Sequence, residues 1–71
     1  MGWYTMYRIR DLREDNDLTQ SAIAKLLNTT QQQYSKIELG ISDISGQRLI
    51  ILAKFYNVSA DYILGLTDSK K

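Results

Sequence analysis

The chain of 71 residues contains no cysteine, no histidine and no proline. Without cysteine there is no disulfide and no thiolate metal site. Without histidine the common zinc geometries and imidazole acid–base chemistry fall away as well. Any catalysis would have to rest on carboxylates, and Asp11, Glu14, Asp15 and Asp17 fall along a helix surface and a loop, with no nucleophile and base gathered beside them. The chain is therefore not expected to be an enzyme, and no cofactor or metal is expected. Long apolar runs are missing too. None approaches the roughly 18 residues of a membrane span, and the amino terminus lacks the charged-then-apolar order of a signal peptide, so cytoplasmic residence is expected. Charge of one sign is in short supply: nine basic and eight acidic side chains leave a net +1. Nucleic-acid binders usually carry a clearer basic excess, so attraction to phosphate would require charge gathered on one face.

What is present is helical periodicity. Apolar residues recur at spacings of three and four through most of the chain, punctuated by Gly, Asn, Ser and Thr, which predicts an all-α domain of five short helices over residues 1–71. The first is expected from about Tyr4 to Glu14, stopped by Asp15, Asn16 and Asp17. The second follows an N-cap at Thr19 and turns Ile23, Ala24, Leu26 and Leu27 inward. Thr30 caps a third, from Gln31 to about Leu39, which Gly40 ends in a left-handed conformation. Ser45 caps a fourth, with Leu49, Ile50, Leu52, Ala53 and Tyr56 supplying core. Ser59 caps a fifth, ended by Gly65, and residues 68–71 read as a frayed tail.

Residues 19–40 carry the informative pattern. Two capped helices flank a tight turn at Asn28, the best non-glycine residue for a left-handed helix end. Ala24 is small where the second helix must approach the third, and Tyr34 and Ile37 face inward. Such a unit leaves the amino-terminal turn and outer face of the third helix free to enter a DNA major groove while the second lies across the backbone. The outward residues are then Gln31, Gln32, Gln33 and Lys36. A glutamine amide can donate to and accept from an adenine edge at once, although glutamine is also simply a good helix former on a solvated surface.

The segment resembles the Cro/CI-type phage repressors, the XRE family. The resemblance spans about residues 8–66. It is carried by Leu-Thr-Gln at 18–20, Ile-Glu-Leu-Gly at 37–40, and Leu-Ala-Lys-Phe-Tyr-Asn-Val-Ser-Ala-Asp-Tyr-Ile-Leu-Gly at 52–65, while Thr29-Thr30-Gln31-Gln32 is similar to the start of the recognition helix in lambdoid members. It implies a compact five-helix domain with a helix-turn-helix, base contacts by Gln31 and Gln32, and a groove-facing Lys36 one turn later. It also implies a phosphate contact by Gln20 and an ion pair between Arg13 and Glu38 that orients the helices; the alternative for that pair is two solvated surface charges. Three positions depart from the family pattern. Asn28 replaces a usual glycine. Tyr34 stands where a branched aliphatic is common, so either the helix pair splays or the hydroxyl reaches the surface. Ile41-Ser42-Asp43-Ile44 replaces a stretch that often holds Lys and Arg. Backbone contacts are then expected from Ser42, Ser45 and the Thr hydroxyls, with Arg10, Lys25 or Arg48 as further candidates, and a shallow salt dependence follows.

Trp3, Tyr4 and Tyr7 crowd one end of the chain and Tyr62, Ile63 and Leu66 the other. Core filling is the default for each, and a surplus could form a dimer surface, with Tyr62 and Leu66 as candidates. One such unit reads only a handful of base pairs, so a homodimer on double-stranded DNA is expected. The function implied is sequence-specific transcriptional regulation, as a repressor. The alternative is a protein-binding module of the same fold, such as an antitoxin or anti-repressor.

Overall fold

Four of the five helices among the described residues start in the same way, with a Ser or Thr hydroxyl accepting a backbone N–H three residues on. In the computed structural model, which describes residues 7–70, Thr19 caps α2 (Gln20–Leu26), Thr30 caps α3 (Gln31–Glu38), Ser45 caps α4 (Gly46–Tyr56) and Ser59 caps α5 (Ala60–Ile63), each at 3.0–3.2 Å. Each hydroxyl satisfies a donor that the helix itself leaves free. The exception is α1 (Ile9–Asp15), which has no side-chain cap. It begins later than the sequence pattern suggests because the N–H of Arg8 donates to the carbonyl of Ile63 at 2.9 Å. Trp3 and Tyr4 lie outside the described residues.

The helices also end alike. Among the described residues, the five with positive φ, Asp17, Asn28, Gly40, Asn57 and Gly65, each follow a helix. In every case the next N–H reaches back five residues: Leu18 to Arg13, Thr29 to Ala24, Ile41 to Lys36, Val58 to Ala53 and Leu66 to Asp61, at 2.9–3.0 Å. This six-to-one closure satisfies an orphan carbonyl and reverses the chain within two residues. The domain is thus a series of short rods whose ends are fixed by local chemistry.

Packing joins the rods. Ile9 and Leu12 of α1, Ile23 and Ala24 of α2, Leu27, Tyr34 and Ile37 of α3, Leu52 of α4 and Ile63 of α5 form one buried cluster. Of the other expected core residues, Leu49, Ala53 and Tyr56 pack against it half-buried, and two stay outside. Leu26 is 38% and Ile50 54% exposed; Ile50 lies about 200° around the helix from Leu52, at 100° per residue. The carboxy-terminal residues are tied down where fraying is expected. Arg8 donates to the Thr67 carbonyl at 2.6 Å and to Asp68 at 2.7 Å while its guanidinium lies 4.4 Å from the Tyr62 ring centroid. The N–H of Ser59 donates to the Lys70 carbonyl at 2.6 Å. Tyr62, a candidate dimer residue, is half-buried beneath that guanidinium, whereas Leu66 is 73% exposed.

Candidate nucleic-acid interface

α2 and α3 are joined by Leu27-Asn28-Thr29-Thr30. Asn28 sits at φ 57°, its N–H donates to the Lys25 carbonyl at 3.0 Å, and Thr29 closes on Ala24 at 2.9 Å. Ala24, 2% exposed, lies at this closure and in the cluster shared with Tyr34 and Ile37. A larger side chain there would push the two rods apart.

A polar lock holds the rods beneath the apolar contacts. Arg13 Nε donates to Glu38 Oε2 at 2.6 Å and Arg13 Nη2 to Oε1 at 3.3 Å; Gln20 Nε2 adds a third bond to Oε1 at 3.1 Å. Arg13 Nη1 donates to the Leu18 carbonyl at 2.9 Å. The two charged side chains are 13% and 3% exposed, so α1, the start of α2 and the end of α3 are fastened through one nearly dry carboxylate. Burial alone would push the Glu38 carboxyl up, but the donors around it, Arg13 first, then Tyr34 and Gln20, hold it below the ordinary carboxylate value. Arg13 is held charged more firmly by the same bonds. Tyr34 is 0% exposed, and its hydroxyl neither reaches the surface nor completes a well-formed hydrogen bond, although it lies near enough to favour the Glu38 charge. Burial, and then Glu38, pushes its phenol above the tyrosine range. Tyr56, likewise buried at its hydroxyl, is pushed up to about 12 by burial and then by the Glu38 charge.

With Tyr34, Ile37 and Glu38 buried, the opposite side of α3 is left to solvent. Gln31, Gln32 and Lys36 are exposed and share one open depression with Gln20, Leu39 and Ile41. Gln33 is only half-buried, because it stands about 40° from Ile37 and so at the margin of the inner face. Its N–H is the one that Thr30 caps. The Gln20 amide is turned partly inward to Glu38 and keeps a second N–H for other partners. Ser42 is half-buried, its N–H bonded to the Lys36 carbonyl at 3.2 Å, and Asp43 beside it is exposed. Lys25 lies with Asn28, Thr29 and Thr30 around the turn, and Arg48 lies near Asn28 at the start of α4. Arg10 is exposed and paired with Glu14 at 3.2 Å. Neither Leu39 nor Ile41 is assigned a contact by the sequence pattern, although the helical period places Leu39 on the same stripe as Gln32.

No group of His, Cys, Asp or Glu among the described residues is arranged to hold a metal, and no helix there is long and apolar enough to cross a membrane.

A family model described as helix-turn-helix matches residues 9–63. Two curated relatives from Bacillus subtilis (strain 168) are similar over most of the chain. One, named Uncharacterized HTH-type transcriptional regulator YobD, is 39% identical over 61 residues, covering 86% of this chain and 54% of its own length. The other, HTH-type transcriptional regulator ImmR, is 33% identical over 64 residues, covering 90% of this chain and 50% of its own. The chain thus spans about half the length of the curated relatives it matches. No solved structure gives a significant match. The capped α2 and α3, the left-handed turn between them and the match across residues 9–63 together make this chain a member of the helix-turn-helix family, of the Cro/CI or XRE type.

Proposed function

We propose that the chain is the DNA-reading domain of a sequence-specific transcriptional regulator, acting as a repressor, without catalysis, in the cytoplasm. One observation carries the reading: Gln31 and Gln32 stand exposed on the first turn of a capped helix whose other face is locked by Tyr34, Ile37 and the Glu38 carboxylate. Rigid placement matters because a bidentate amide contact with an adenine edge tolerates little misalignment. Lys36 faces the same groove a turn later. Gln33, at the margin of the face, acts with Thr30 mainly in shaping the helix start. Phosphate contacts come from the second N–H of Gln20, from Ser42 and from Lys25 beside the turn, with Asp43 limiting how many cations can gather.

The reading unit is short, so a homodimer on a two-fold site is the proposed working form, with Leu66 as a contact residue. Selection of duplexes from a random pool, followed by gel-shift titration at several salt concentrations, tests the proposal. The expected result is an enriched palindrome and a salt slope corresponding to few phosphates per subunit. Absence of binding even to random duplexes at low salt refutes it.

A further inference from the structure

Leu39 and Ile41 are 60% and 70% exposed, and the roles given to the amides and Lys36 leave them unused. They line the same depression as Gln31, Gln32 and Lys36. At 100° per residue, Leu39 falls within about 20° of Gln32 around the helix axis and about 10 Å further along it. It therefore lies in the middle of the exposed stripe. The stretch from Gly40 to Ser45 contains no Lys or Arg, so this end of the face is apolar where it could have been cationic.

A hydrocarbon pair continuous with a row of amides suits a surface that displays hydrogen-bonding edges and apolar groups side by side. In the major groove the apolar group on display is the C5-methyl of thymine. Resting on the reading of α3 as the groove-entering helix, the geometry points to Leu39 and Ile41 as specificity-determining residues that pack against thymine methyl groups, beyond the bases read by Gln31 and Gln32. Burying the methyl group removes apolar surface of both partners from water.

The test uses the full chain and the duplex enriched by selection. Each thymine is replaced singly by uracil, which deletes the methyl group and keeps every hydrogen-bonding group. At one or two positions, displaced from the Gln32 base toward the carboxy-terminal end of α3, affinity is expected to fall about fourfold, the worth of one buried methyl. That penalty should vanish in at least one of Leu39→Ser and Ile41→Ser. It should persist in Gln31→Ala and Gln32→Ala. Uniform indifference to uracil, or penalties undiminished in both serine variants, overturns the inference while leaving groove reading intact. Failure to enrich any duplex overturns the underlying reading and the inference with it.

Discussion

Replacing Arg13 with methionine removes two of the three side-chain hydrogen bonds that reach Glu38 and leaves only the one from Gln20 at 3.1 Å. The carboxylate is 3% exposed, so water does not readily take their place. Methionine keeps the aliphatic bulk, and the perturbation is chiefly one of charge. Removing one partner of a buried pair costs about 3–5 kcal/mol. Arg13 lies at the solvent edge of the lock, 13% exposed, which places the expected loss near the lower end, about 3 kcal/mol. A domain of this length is stable by on the order of 4–10 kcal/mol, so the variant should fold in the cold and melt early.

The pH dependence gives the sharper signature. In the native protein the Glu38 carboxyl lies below its ordinary value of 4.5. Its contribution to stability is present above that value and is lost as the pH falls through the lower folded value. Without Arg13, burial dominates and the folded value rises above the unfolded one. The variant should then gain stability as the pH falls from neutral toward about 5, where the native protein gains none from this group. Urea denaturation followed by far-ultraviolet circular dichroism at the two pH values reads both slopes. Arg13→Met combined with Glu38→Leu should recover most of the loss, since an apolar pair of similar volume often replaces a buried ion pair without cost. Parallel pH slopes for the native protein and Arg13→Met, or no recovery in the double variant, would mean that Glu38 is not held charged by Arg13.

Other outcomes follow from single residues. Asn28→Ala should destabilise by about 1–2 kcal/mol because a β-carbon without a compensating amide is strained at positive φ, while Asn28→Gly should be neutral or stabilising; thermal melts of both decide it. Tyr34→Phe deletes a buried hydroxyl that completes no well-formed hydrogen bond but favours the Glu38 charge, so stability at neutral pH should change by no more than about 1 kcal/mol while acid unfolding moves to higher pH; a larger loss would mean that the hydroxyl is fully bonded. Above pH 10 the protein should lose stability progressively toward about 12, the value to which Tyr56 is raised from its usual 10.0. The proton favoured in the folded state is the one lost, so Tyr56→Phe should make that limb shallower in an alkaline titration, leaving the share of Tyr34, whose phenol is raised as well.

Local chemistry was legible in the sequence. Thr19, Thr30, Ser45 and Ser59 are caps because a short hydroxyl can reach an N–H three residues ahead, and Asn28, Gly40 and Gly65 end helices because they tolerate positive φ. Features set by distant partners were not. The late start of α1 depends on the Ile63 carbonyl, and the anchored carboxy-terminal residues depend on Arg8, 59 residues from Thr67. Amphipathic spacing drew Leu26 and Ile50 into the core although the inner faces were already filled. At the candidate site the glutamine row was visible from residue type and position. The inward turn of the Gln20 amide was not, because its partner Glu38 arrives from another helix.

The most direct measurement is equilibrium binding of the native chain, Gln31→Ala and Gln32→Ala to the selected duplex and to a scrambled duplex at one fixed salt concentration. A loss of about 1–3 kcal/mol is expected for each variant on the selected duplex, with little change on the scrambled one. Equal losses on both duplexes, or none on either, would contradict base reading by these amides.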